Sequence, residues 1–349
     1  MIQNVFYQED GYLDMGRLMP HVLPFTWMWG GRGIGKTYGM LKDCRVDNPR
    51  PFILMRRTQK QTDMVYKPLL HPFKSIDRDC GIHTAVVKDG DIGVFYDAIQ
   101  ADDGELVPQG PPLGYVLALS TLHNVRGIDM SDAKILIYDE FIPQKNERNT
   151  IRDEYGAFQN AYETINRNRE LKGEPPLQFV GLTNSNTLGN PYFLGMGVIR
   201  TVDNMIKHKR EVWADEKRGL MLINILRSPI SEKKKTTALY RLSNGEDDYT
   251  KMSLGNDFAL DHCTNQGSFP LREIRPVCAV GEICIYKHKS KTVYYCTSHV
   301  SGSPARYGAD EMSLLRFRRD WWTLWAAYMD QAVVFQDIMC EILFKKYFE

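Results

Sequence analysis

The chain has no C-x-x-C pair among its seven cysteines, no internal repeat, no low-complexity tract and no apolar run near the roughly 18 residues that cross a bilayer. Each absence removes a class of protein. An odd set of scattered thiols fits a reducing compartment better than a disulfide framework. Cys278, Cys284 and Cys296 with His288 and His299 invite a metal reading, but they lie in strand-like sequence, where a free thiol is a small buried hydrophobe. A net charge of +1 excludes a uniformly basic nucleic-acid coat, so polyanion binding has to use a local patch or the inner face of an assembly. No secretory leader opens the sequence, and the expectation is an intracellular protein outside the membrane. What remains is ordinary for a folded chain: 349 residues, 43% hydrophobic and 25% charged, enough for a large core and about two domains.

The feature that rises above this background is Gly30-Gly31-Arg32-Gly33-Ile34-Gly35-Lys36-Thr37, a complete G-x-x-x-x-G-K-[ST] loop directly after the apolar segment Phe25-Thr26-Trp27-Met28-Trp29. The order strand, glycine loop, helix is the context in which this pattern binds phosphate. Glycines let backbone N–H groups and a helix N-terminus point at one anion. Lys36 brings a mobile charge to the β- and γ-phosphates of ATP, and the Thr37 hydroxyl is the expected Mg²⁺ ligand.

A second element is Ile135-Leu136-Ile137-Tyr138-Asp139-Glu140. Its apolar residues read as a buried strand that delivers Asp139 to the strand's C-terminal edge as a Mg²⁺-shell carboxylate. Glu140 follows as the group able to polarise an attacking water. Adjacent carboxylates here mark the P-loop proteins that hydrolyse ATP with a strand-borne glutamate. Gln178-Phe179-Val180-Gly181-Leu182 ends in Thr183-Asn184, which places Asn184 where a γ-phosphate sensor would stand. Arg126, and Arg167 and Arg169 in Asn166-Arg167-Asn168-Arg169-Glu170, are candidates to act on a neighbouring subunit's nucleotide, and equally fit solvated charges at a helix C-terminus.

Buried strands alternating with helices indicate an α/β fold, a P-loop domain with a central, mostly parallel sheet. Residues 1–228 are assigned to it. The polar stretch 229–258, with Lys233-Lys234-Lys235, Asn244-Gly245 and Asp247-Asp248, reads as a linker, and 259–349 as a small α+β domain. In that last part Val277–Tyr286 and Thr292–Thr297 read as two strands of a hairpin. Asp310–Phe348 reads as helical, with Trp321, Trp322, Trp325 and Phe335 in its core.

Gly-Arg-Gly-Ile-Gly-Lys-Thr at 31–37, Arg56-Arg57, Asp139-Glu140-Phe141-Ile142, Arg167-Asn168-Arg169-Glu170, Asn190-Pro191-Tyr192-Phe193 and Met252-Ser253-Leu254 together resemble the small genome-packaging ATPases of short-tailed bacteriophages of the phi29 type. The resemblance spans most of the first 258 residues in order. It implies an ATPase of the additional-strand catalytic-glutamate group, assembled as a homopentameric ring on the portal of an empty procapsid and pumping double-stranded viral DNA inward. A structural RNA is a further partner it admits. Carried onto this chain, it makes Lys36 and Thr37 the phosphate and Mg²⁺ residues and Asp139 the metal-shell acid. Glu140 becomes the catalytic base, Arg167 the trans-acting finger and Arg126 a second basic residue acting between subunits. Gln59 stands where the family can carry a lysine, so a direct role for Lys60 loses support. Residues 259–349 resemble the family's diminished ribonuclease-H-like domain. The scattered acids Asp261, Glu273, Glu282, Asp310 and Glu311 suggest that it does not cut DNA, while Arg272, Arg275, Lys287, Lys289 and Lys291 would contact portal or nucleic acid. The implied location is the host cytoplasm, transiently at the portal vertex and not in the mature virion. Competing readings are a non-translocating ATP switch or assembly factor, and a terminase with an active nuclease.

Overall fold

The structure, a computed structural model, describes residues 4–67, 70–125, 129–143, 151–185, 187–226, 228–242, 247–256 and 265–348. The chain divides into two compact units, Met1–Met196 with Asn204–Ala259, and Gly197–Asp203 with Leu260–Glu349.

The first unit is built on β1 (Phe25–Gly30), β2 (Phe52–Arg56), β3 (Thr84–Asp89), β4 (Ile92–Gln100), β5 (Leu106–Ala118), β6 (Ile135–Asp139), β7 (Gln178–Asn184), β8 (Val212–Asp215) and β9 (Leu220–Ile225). They form one nine-stranded sheet in the order β3-β4-β5-β2-β6-β7-β1-β9-β8. The run β5-β2-β6-β7-β1-β9 is parallel throughout, while β3, β4 and β8 join through antiparallel pairings at the two flanks. A parallel sheet needs cover on both faces, and its central strands show why the sequence reads as continuous apolar runs. In β1 successive side chains serve opposite cores. Met28 joins Leu54, Ile137, Val180 and Ile223 on one face. Trp27 packs on the other against Phe141, Phe158, Phe179 and Tyr192, with ring centroids 4.8, 5.2, 4.6 and 5.2 Å away. Truncating such a tryptophan costs about 3–5 kcal/mol.

Helices α1 (Met15–Leu18), α2 (Lys36–Lys42), α3 (Gln59–Val65), α4 (Lys74–Cys80), α5 (Glu154–Asn166) and α6 (Pro191–Gly195) lie in the first unit, and α7 (Ile199–Lys207) carries the chain from the second unit's inserted segment back to it. In α5 the buried residues Glu154, Phe158, Ala161 and Ile165 follow helical spacing. Asp153 caps it by accepting from the Gly156 N–H at 3.0 Å. The helix ends where Arg167 and Asn168 turn left-handed, at φ 48° and 57°.

The stretch read as a linker has a different character. It contains α8 (Pro229–Lys234), α9 (Ala238–Leu242) and α10 (Asp248–Gly255), and belongs to the first unit. Lys233 and Lys234 read as linker sequence because they reach the N-terminal turn and the loop at 30–37, not a hydrophobic core. Ser228 Oγ and the Ile230 N–H donate to the Gly11 carbonyl at 2.6 and 3.3 Å.

The second unit holds a five-stranded sheet, β10 (Ile274–Val280), β11 (Ile283–His288), β12 (Tyr294–Thr297), β13 (Ala305–Tyr307) and β14 (Val333–Phe335), in the order β13-β10-β11-β12-β14. Helices α11 (Glu311–Asp320), α12 (Trp322–Met329) and α13 (Ile338–Phe348) accompany it. Two sequence expectations change here. Val277–Tyr286 is not one strand, because Gly281, at φ 50°, turns the chain between β10 and β11. The C-terminal forty residues are not all helix, because β14 pairs in parallel with β12. Phe335 is buried and Trp325 packs on Tyr328 and Phe348, whereas Trp322 is 66% exposed and stands outside the core. Cys278, Cys284, Cys296 and Cys340 are buried. Burial pushes the Cys278 thiol up to about 12, and among the described residues no three His, Cys or acidic side chains converge to hold a metal.

Candidate nucleotide site

Parallel strands end at one edge, and their register decides what meets there. Gly30 on β1 lies opposite Asn184 on β7, and Met55 on β2 opposite Tyr138 on β6. The residues that leave these strands together surround a cleft of about 320 Å³ lined by Arg32–Tyr38, Asp139, Glu140, Thr183 and Asn184.

The glycine loop wraps the start of α2, with Gly33 and Gly35 at φ 62° and 93°, a region that side chains rarely adopt. Gly31 has no room for a Cβ, which would strike the Ser253 carbonyl of α10. Lys36 is buried beneath the loop. Its ammonium donates to the carbonyls of Gly30 (3.1 Å) and Gly31 (2.6 Å) and to Asn184 Oδ1 (3.2 Å). Burial draws its pKa down to about 7, Asp139 opposes that shift, and Lys234 and Arg32 add to it. A cation so held is ready for an anion that returns the charge lost with water.

Thr37 Oγ1 donates to Asp139 Oδ1 at 2.9 Å, and Arg56 holds the other oxygen of Asp139 at 2.8 Å. The same guanidinium reaches Glu140 Oε2 at 3.0 Å and so spans both acids. Asp139 is buried, while the Glu140 side chain is 39% exposed at the mouth of the cleft. Glu140 has a left-handed backbone, φ 58°, fixed by its N–H donating to the Leu182 carbonyl at 2.7 Å. A non-glycine residue pays about 1–3 kcal/mol for such a conformation, and such strain concentrates at functional positions.

Lys36, Thr37, Asp139, Glu140, Asn184 and the loop residues Gly30–Gly35 thus come together in one place. Two partners were not assigned from sequence. Arg56, one residue beyond Met55 on β2, stands beside Asp139. Lys234 was read as linker, yet its ammonium donates to the Arg32 carbonyl.

Arg167 and Arg169 lie elsewhere. Asn166 at the end of α5 accepts from the Leu177 N–H, just ahead of β7, so both arginines stand at the N-terminal edge of the parallel strands. Arg169 is buried and donates to the carbonyls of Ser131 (3.0 Å) and Ala133 (2.7 Å), which makes it a brace for the approach to β6. The Arg167 side chain is 35% exposed and pairs with the exposed Asp129 at 3.2 Å. Arg126 and Asp261 lie outside the described residues. In the second unit Lys289 donates to the Arg272 carbonyl, Lys291 stands over the Phe269 ring, and Glu273 faces His288 at 3.6 Å.

A family profile described as podovirus DNA encapsidation protein (Gp16) matches residues 1–267. The DNA packaging protein of Bacillus phage phi29 is 28% identical over 269 residues, covering 75% of this chain and 68% of the relative. Among solved structures, a chain of the bacteriophage Phi-29 viral genome packaging motor assembly is similar over 97% of this chain and 99% of its own length, with a TM-score of 0.65 at 17% identity. The Phi-28 gp11 DNA packaging motor is similar over 97% and 98%, with a TM-score of 0.62 at 17% identity. Both likenesses concern the fold.

Proposed function

The chain belongs to the podovirus DNA encapsidation protein (Gp16) family, and from that footing we propose how its cleft serves a viral DNA-packaging ATPase. The observation that carries the reading is the convergence of Lys36, Thr37, Asp139, Glu140 and Asn184 at one strand edge. ATP places its phosphates on the loop, where Lys36 neutralises the β- and γ-phosphate charge. Glu140 orients the attacking water and accepts its proton. Arg56, which binds both acids, has to loosen from Glu140 for that carboxylate to turn to the water. Asn184, in contact with Lys36, registers loss of the γ-phosphate.

Thr37 Oγ1 and Asp139 Oδ1 are adjacent hard oxygens of the kind Mg²⁺ takes, and these two residues would hold it. The ion would supply charge neutralisation across the phosphates.

Arg167 then serves the nucleotide of the next subunit in a ring, a homopentamer on family grounds. Double-stranded DNA is held in the lumen through phosphate contacts, which carry no sequence information and weaken with salt. The ring sits on the portal of the procapsid in the host cytoplasm, with a structural RNA as a further partner, and leaves before the virion matures. The second unit is non-cleaving in this proposal, because Asp310 caps α11 and Glu273 lies 3.6 Å from His288 instead of joining an acidic cluster among the described residues.

The test is steady-state ATP hydrolysis against protein concentration, with and without double-stranded DNA. Turnover that rises more than linearly with concentration and increases with DNA supports the ring motor. Linear, DNA-indifferent turnover would move the assignment to an ATP-dependent switch.

A further inference from the structure

We propose that Lys234 is a positioning residue for phosphate binding: it fixes the peptide between Arg32 and Gly33 so that the Gly33 N–H is presented to the nucleotide. The inference rests on the reading of the cleft as an ATP site.

A trans peptide is planar, so its C=O and N–H point in opposite directions. Each loop carbonyl that accepts a hydrogen bond therefore also fixes the direction of the next residue's N–H. The Ile34 carbonyl accepts from the Leu13 N–H at 3.0 Å, and that of Gly35 from the Gly39 N–H at 2.8 Å. Those of Gly30 and Gly31 accept from Lys36. The Arg32 carbonyl is held by a side chain from far along the chain, the Lys234 ammonium. With that C=O drawn to Lys234, the Gly33 N–H points to the opposite side of the peptide, and Gly33 lines the cleft.

Residue 32 is held from both sides by the same segment. Its N–H donates to the Ser253 carbonyl at 3.0 Å. The Lys234 ammonium lies over the Tyr240 ring, 5.5 Å from the centroid, and Tyr240 Oη and Ser253 Oγ are 2.5 Å apart. Lys234, Tyr240 and Ser253 thus close a ring of contacts around the single residue Arg32. Gly33 suits it, since a Cβ there would stand 3.1 Å from Lys234 Nζ. Lys233, one residue before, anchors the end of α8 by donating to the Asp10 carbonyl at 2.7 Å, so the lysine that reaches the loop starts from a fixed base.

The experiment measures ADP affinity by equilibrium titration, and kcat and KM for ATP by phosphate release, in the full chain and in Lys234→Ala and Lys234→Arg. In Lys234→Ala the ADP Kd and the ATP KM should rise about tenfold, the cost of one well-placed hydrogen bond, with kcat at saturating ATP within about twofold. Lys234→Arg, which keeps a donor, should recover most of the affinity, and the nucleotide-free chain should remain cooperatively folded in all three. Unchanged ADP affinity in Lys234→Ala would overturn the proposal. So would a fall in kcat without a change in affinity, or an arginine variant no better than alanine. A wild-type chain that binds no ATP would instead defeat the reading of the cleft, visible before any variant is made.

Discussion

The two edges of the nine-stranded sheet use arginine in opposite ways. At the C-terminal edge Arg56 is shared between Asp139 and Glu140, within a cluster that also holds Lys36, Thr37 and Asn184. At the N-terminal edge Arg169 is spent on two backbone carbonyls, while Arg167, two residues earlier, stays partly exposed on a left-handed turn. Helix α5 joins the two edges. Glu154 at its first turn is locked to Arg57 at 2.5 Å beside β2, and Asn166 at its last turn meets the start of β7. Thirteen residues at 1.5 Å each separate the edges by about 20 Å. Arg167 therefore stands about 20 Å from its own subunit's cleft, so in the proposed ring any nucleotide it served would be a neighbour's. Neighbouring arginines in one short sequence meet different surroundings, Arg169 buried and Arg167 partly exposed.

The largest effect is expected at Arg167. Arg167→Ala should lower ring-dependent turnover by about 10³–10⁵ and leave the melting temperature in place. Mixing it with Glu140→Gln subunits should restore part of the hydrolysis, since each supplies what the other lacks, and mixtures as inactive as the separate variants would remove the shared site. At the opposite edge Glu140→Gln should cost about 10²–10⁴ in kcat while ATP affinity, read by equilibrium titration, stays near wild type. Lost affinity would assign Glu140 to binding instead of chemistry. Arg169→Ala should do the reverse of Arg167→Ala. It leaves buried carbonyls without their donor and should lower stability by about 1–3 kcal/mol in urea unfolding, with turnover at low temperature little changed.

The smallest effect concerns protons. Lys36 titrates near 7 because burial disfavours its charge, and a bound phosphate raises that value. Below about pH 6 the ammonium is already charged and ATP binding should take up no proton through it; above about pH 8 it is mostly neutral and binding should take up close to one. Calorimetry at pH 8 in buffers of different ionisation enthalpy measures the uptake. A value near zero would mean that Lys36 is charged before the nucleotide arrives.

The sequence was most legible where function is local. The loop at 30–37, the Asp139-Glu140 pair and Thr183-Asn184 each occupy a strand end, so apolar runs followed by polar residues were enough to place them at one edge. Arg56 and Lys234 were harder to read, because nothing near them in sequence names their partners: Glu140 lies 84 residues from Arg56, and the Arg32 carbonyl 202 residues from Lys234. The same limit made 229–258 look like a linker, since helices that grip a loop by polar contacts lack the apolar stripe of a core helix. In the second unit Gly281 gave the only local sign that Val277–Tyr286 folds back on itself.

By itself the sequence determined the glycine-rich loop, the acidic pair Asp139-Glu140 at a strand end and the parallel α/β frame. These depend on short-range rules: glycine's backbone freedom, the period of buried strands and the need for a helix to follow the loop. Tertiary structure alone decided that one arginine spans both acids, that Arg169 is buried as a brace for the approach to β6, and that Lys234 and Ser253 hold the loop from outside. Those outcomes depend on strand order and on which distant segment closes over the strand edge, and no local residue pattern encodes either.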